Sequence, residues 1–122
     1  SQFPRDILLG RNIVMKSSGT QLRSYCYCLD CASAILSVLI NGKNGDAYNV
    51  SNKDSIVTIR QMAEAFAVAG NVEIVLDIPS DNEKASFNLM DNSNLDSSKI
   101  EALGWKAIFS MNEGAKRTLL LM

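Results

Sequence analysis

Arg23-Ser24-Tyr25-Cys26-Tyr27-Cys28-Leu29-Asp30-Cys31-Ala32 decides how this chain reads. Ser24–Leu29 alternates, with Tyr25 and Tyr27 on one face and Cys26 and Cys28 on the other, as a strand does. Asp30 then stands where an N-cap would accept from the free N–H groups of a first helical turn. The helix it opens runs to about Asn41 and stops at Gly42. Its apolar set (Ala32, Ala34, Ile35, Leu36, Val38, Leu39, Ile40) covers most of the circumference, which predicts a central, buried helix. A rigid strand led by an arginine, next to the Gly19-Thr20-Gln21-Leu22 loop, suits an anionic ligand. The guanidinium fork donates two parallel hydrogen bonds to a phosphate or diphosphate. Arg23 has a plainer reading as well, a strand-end arginine satisfying a carbonyl or a surface carboxylate.

Outward from this stretch, short strands alternate with helices, the pattern of a small α/β domain. Phe3–Leu9 reads as a short helix stopped by Gly10. Asn12–Lys16, Ala47–Val50 and Val72–Leu76 read as strands. Thr58-Ile59-Arg60-Gln61 is a capping box, opening a helix that ends near Gly70. The polar stretch Ile78–Asn94 reads as a long loop with room for an extended piece. Leu95–Lys99 opens a short helix that Gly104 stops. Ser110-Met111-Asn112-Glu113 is a second capping box, opening a terminal helix to Leu121. At 122 residues this is a single domain, 1–122, with one core. Ser1-Gln2-Phe3-Pro4 reads as a chain entered mid-stream, so a fragment of a longer protein is expected.

Bulk chemistry narrows the partners. A net charge of −1 gives no electrostatic argument for nucleic acid or a membrane surface. The apolar run Cys31–Ile40 is too short to span a bilayer. Three cysteines, all within Cys26–Cys31, make a poor disulfide framework and fit a reducing cytoplasm. With no histidine, three sulfurs fall short of a zinc set, and a cysteine nucleophile lacks its usual base. No metal site is expected. Tyr27 has Cys31, not lysine, four residues on, so it is no Tyr-x-x-x-Lys pair.

The ordered motifs resemble one family. They are Gly19-x-x-x-Arg23-Ser24-Tyr25-x-Tyr27-x-x-Asp30-x-Ala32, Gly45-Asp46-Ala47-Tyr48-Asn49-Val50, Ser55–Ala63, Leu95–Ile100, Leu103-Gly104-Trp105-Lys106 and Ser110–Gly114. Together they look like the C-terminal, substrate-binding lobe of the extended short-chain dehydrogenases acting on nucleotide sugars, the 4,6-dehydratases and 4-epimerases, with the dTDP-glucose 4,6-dehydratase type nearest. The resemblance implies a lobe of short strands and about four to five helices, normally packed on a Rossmann domain absent here. It implies a nucleotide-diphosphate sugar as ligand, with Arg23 on the diphosphate. The Asn12–Lys16 strand (Asn12, Ile13, Val14) would lie along the base through backbone groups. Many members carry a second arginine after the Val72–Leu76 type of strand; here Lys84 stands in that loop, a point charge rather than a fork. NAD or NADP would bind mainly to the missing lobe, which also holds the catalytic Tyr-x-x-x-Lys pair. The fragment itself would then carry no catalytic residue, hold no cofactor and be catalytically silent. The parent would be an enzyme, a cytoplasmic lyase or isomerase and a possible homodimer. An apolar patch, normally covered by the absent lobe, is expected on this chain. Two alternatives stand beside this: a non-catalytic binding or interaction module, and a Cys-based redox or metal module.

Overall fold

In the computed structural model, residues 2–78 and 90–122 are described. They form α1 (Gln2–Leu8), β1 (Ile13–Met15), β2 (Leu22–Ser24), α2 (Cys28–Asn41), a 3-10 turn (Lys53–Ser55), β3 (Ile56–Thr58), α3 (Ile59–Gly70), β4 (Ile74–Leu76), β5 (Asn92–Ser93), α4 (Ser98–Glu101) and α5 (Met111–Leu120). Among the described residues, five helices and short strands make the small α/β unit that the motif order implies. No helix among the described residues is long and apolar enough to cross a membrane.

The strands form two separate sheets. β1 pairs with β4 in parallel, Ile13 opposite Ile74. β2 is the middle strand of the other sheet, antiparallel to β3 and parallel to β5. Ile13 and Met15 point inward from β1 and meet Ala63, Phe66 and Ala67 of α3 and Ala115 of α5. Phe3 of α1 closes this core edge-on against Phe66. A second cluster joins Ala34 of α2, Ile100 of α4 and Trp105. The Trp105 indole donates to Ser33 Oγ at 2.9 Å, so its one polar atom is satisfied inside that cluster.

The Thr58 capping box forms in full. Gln61 N–H donates to Thr58 Oγ1 at 3.0 Å, and Thr58 N–H donates to Gln61 Oε1 at 2.8 Å. α3 ends where expected, with Asn71 rather than Gly70 taking the left-handed cap at φ 52°. Only half of the second box forms. Ser110 Oγ accepts from Glu113 N–H, but the Glu113 carboxylate turns outward to Arg117 Nε at 2.8 Å.

Four local expectations change. β2 covers Leu22–Ser24, not Ser24–Leu29, because β3 offers only three partners before the 3-10 turn begins. α2 therefore starts at Cys28, ahead of Asp30, and Asp30 is no cap. Ala47–Val50 joins no ladder among the described residues. Side chains hold this segment instead: Asn49 Nδ2 donates to Asp96 O, and Ser51 Oγ to Leu95 O at 2.8 Å. Finally, α2 is not a central buried helix. It buries only Asp30 and Ala34, while Leu39 and Ile40 are 79% and 77% exposed. An all-round apolar helix needs partners on two sides, and the described residues supply one.

Candidate functional site

Arg23 occupies the middle position of the middle strand, opposite Val57 on one side and Ser93 on the other. This backbone is held from both edges. The half-buried side chain donates from Nη1 to Leu22 O at 2.7 Å and from Nη2 to Met90 O at 3.1 Å. Arg23 thus satisfies carbonyls, as its plainer reading has it. Those bonds leave its charge uncompensated: among the described residues no carboxylate forms an ion pair with it. A guanidinium has five N–H donors, so the two carbonyls do not exhaust it. Next to it, Ser24 Oγ accepts from Leu95 N–H at 3.2 Å, tying β2 to the segment before α4.

Asn12, Ile13 and Val14 lie on the other sheet. Asn12 Oδ1 accepts from Glu73 N–H at 3.2 Å, fixing the start of the β1–β4 pair. Ile13 is fully buried and belongs to the core. Its N–H donates to Glu73 O at 2.9 Å, and Met15 O accepts from Asp77 N–H at 2.9 Å. Because backbone groups alternate along a strand, the Val14 N–H and C=O point away from β4. No described strand pairs at that edge. The structure thus leaves on β1 an open backbone edge at Val14.

The two candidate pieces are linked by the loop through Gly19. Its carbonyl accepts from Arg60 N–H at 3.0 Å and that of Gln21 from Ile59 N–H at 3.1 Å, so the loop docks on the first turn of α3. A Cβ at Gly19 would lie 2.3 Å from Met15 Cε and 2.9 Å from Arg60 N. Only glycine permits this approach, and its φ of +68° is also one that glycine favours. No ladder joins Arg23 to the Asn12–Val14 strand. Lys84 lies outside the described residues.

Asp30 has a role that local sequence did not reveal. It is 1% exposed. Its Oδ1 and Oδ2 accept from the backbone N–H groups of Ile108 and Phe109, each at 3.1 Å. Asn52 holds the same segment from the other side, donating from Nδ2 to Phe109 O at 2.9 Å. Phe109 is thereby set edge-on against Tyr27, ring centroids 5.0 Å apart. Nothing near Asp30 in the chain pointed to residues 108 and 109; the partner lies 78 positions away.

The cysteines are closer to one another than a straight strand allows. Cys31 Sγ reaches the Cys26 carbonyl at 3.9 Å. Burial pushes the Cys26 thiol up to about 12, with Cys31 and the Asp30 charge adding to it. Such a thiol is protonated near neutrality and is a poor nucleophile. Among the described residues no group of three or more His, Cys, Asp or Glu side chains is placed to hold a metal ion. Burial also raises Tyr25, against the opposing pull of the Arg23 charge.

Residues 1–51 match the family described as the NAD dependent epimerase/dehydratase family. Over 96% of its length the chain is 30% identical to a trifunctional UDP-glucose 4,6-dehydratase/UDP-4-keto-6-deoxy-D-glucose 3,5-epimerase/UDP-4-keto-L-rhamnose-reductase of Arabidopsis thaliana, covering 18% of that protein. Over 89% it is 28% identical to the dTDP-D-glucose 4,6-dehydratase of Homo sapiens, covering 32% of it. Among solved structures, UDP-glucose 4-epimerase of Thermotoga maritima with UDP-glucose superposes with a TM-score of 0.78 at 24% identity, over 98% of this chain and 37% of that one. The dTDP-glucose 4,6-dehydratase of Streptomyces venezuelae with NAD and TYD bound gives 0.77 at 20% identity, over 98% and 36%. The chain is similar to proteins of the NAD dependent epimerase/dehydratase family, the resemblance its motif order carries. It spans about a fifth to a third of the length of these curated relatives.

Proposed function

We propose that this chain is the nucleotide-sugar-binding lobe of a longer NAD(P)-dependent 4,6-dehydratase or 4-epimerase. The observation that carries this reading is the Arg23 guanidinium, rigidly mounted and unpaired by any described carboxylate, in a chain related to such enzymes. Arg23 anchors the diphosphate, and the open Val14 edge, beside Asn12 and Ile13, offers backbone groups to the base. Lys84 supplies a second cationic contact. The cofactor sits mainly on an N-terminal Rossmann lobe, which also supplies the residues that move hydride and proton; the 122-residue lobe alone is silent. The uncovered face of α2 supports a missing lobe, since apolar patches of this kind are ordinarily buried. The parent acts in the cytoplasm, as a monomer or a homodimer.

The test is Arg23→Ala in the full-length protein, with UDP and dTDP affinity measured calorimetrically. A charge-assisted contact contributes about 1.5–3 kcal/mol, so affinity should fall by roughly one to two orders of magnitude. Far-UV circular dichroism should stay unchanged. Equal affinity in the folded variant removes Arg23 from the binding site.

A further inference from the structure

The nucleotide-sugar reading leaves Ser55 unused. Ser55 ends the 3-10 turn and is 1% exposed. Its backbone is fully engaged: the N–H donates to Asn52 O at 3.0 Å, and the carbonyl accepts from Tyr25 N–H at 3.1 Å. Its hydroxyl oxygen is buried with no hydrogen-bond partner. Buried hydroxyls are nearly always bonded, because an unpaired one forfeits the bonds it made to water.

Ser55 lies in the wall of a cavity of about 330 Å³ between the Tyr25–Cys28 segment, α3 and α5. That volume is in the range of small-molecule sites. The other walls include Tyr25, Phe66, Phe109, Met62 and Met111, and no lining residue is ionised near neutrality by type. Burial keeps the Cys26 thiol, also in the wall, protonated. Aromatic and thioether walls adapt to flat apolar guests. Neither Arg23 nor Asn12, Ile13 or Val14 lines the cavity, and a diphosphate would find no cation in it.

We propose that this cavity is a binding site for a small, uncharged, largely apolar molecule carrying one hydroxyl or carbonyl, which bonds to Ser55 Oγ. Size selects a single ring, and the lone polar atom selects its orientation.

Phenol and toluene have nearly the same shape, but only phenol can bond to Ser55. Each is titrated into the full-length protein labelled at methionine methyl groups, with Met62 and Met111 as reporters. Saturable shifts at both are expected, with phenol binding about threefold to tenfold more tightly. Ser55→Ala should abolish that preference while toluene still binds. Thr118→Leu, which adds bulk at the wall, should weaken both. Failure of phenol to saturate the reporters, equal affinity of the two probes for the unmodified protein, or binding unaffected by Thr118→Leu would each overturn the proposal. Arg23→Ala should leave phenol binding unchanged, so failure of the nucleotide-sugar reading is read separately.

Discussion

Asp30 Oδ2 accepts the backbone N–H of Phe109 at 3.1 Å, while its Oδ1 accepts that of Ile108. One buried carboxylate thus fixes the strandless segment between Trp105 and α5. Asp30→Ala should destabilise the protein by roughly 3 kcal/mol, since two N–H groups lose a charged acceptor. Asp30→Asn retains one acceptor and should cost about half as much. Urea unfolding of both variants gives the comparison. An Ala variant as stable as the original would mean that water replaces the carboxylate without loss.

Gly19→Ala should also destabilise. A left-handed φ costs a non-glycine residue roughly 1–3 kcal/mol, and the new Cβ would press on the Arg60 backbone. The loop would then lift from α3. Hydrogen exchange should show faster exchange at Ile59 and Arg60, whose N–H groups bond to Gln21 and Gly19. Unaltered exchange there would refute the close approach.

The Lys53–Glu101 pair, Nζ to Oε2 at 2.6 Å, predicts a pH dependence. The Lys53 bond, then the Ser97 hydroxyl, hold the Glu101 carboxyl below its ordinary 4.5, and the same pair raises Lys53 above 10.5. A depressed acid stabilises above its unfolded value, and that contribution fades as pH falls through the folded one. A raised base stabilises below its unfolded value, and that contribution fades as pH rises through the folded one. Glu101→Gln should therefore melt slightly below the original protein near neutrality. The gap should close in acid below 4.5, where the original loses the same charge. A gap that is constant with pH would assign the effect to packing. Exposed pairs contribute little, so the shift should be small.

The bare face of α2 gives a prediction in two contexts. Residues 1–122 alone should self-associate with rising concentration in sedimentation velocity, and Leu39→Glu should suppress this. In the full-length protein the same substitution should lower the melting temperature, because Leu39 would there be covered. No change in melting would mean that the face is open in the parent too.

What sequence made legible was chemistry whose partners are near in the chain. Thr58 and Gln61 are three positions apart, and their reciprocal cap was readable; so were β1, α1 and the end of α3. Asp30 looked like a cap by the same local logic, but distant N–H groups compete for its carboxylate and win. Ala47–Val50 had strand character without a strand partner, and Asn49 and Ser51 found carbonyls of the 95–96 segment instead. Arg23 was identifiable as a candidate from its fork and its strand. Its bond to the Leu22 carbonyl is to its chain neighbour, but the bond to the Met90 carbonyl depends on where β5 falls, which no local pattern sets. Ser55 opened one of the motifs of the resemblance, but nothing in that motif marked its hydroxyl as buried and unpartnered.

Ile13 and Ile74 lie about sixty positions apart yet pair side by side. During synthesis, then, β1 leaves the ribosome long before the strand that completes it. Its inward Ile13 and Met15 must wait through α2 and α3 and, for Ala115, into α5. Closing so long a loop slows folding more than it weakens the product. The nascent chain therefore exposes this apolar strand until β4 and then α5 are made, a window in which chaperones have something to hold.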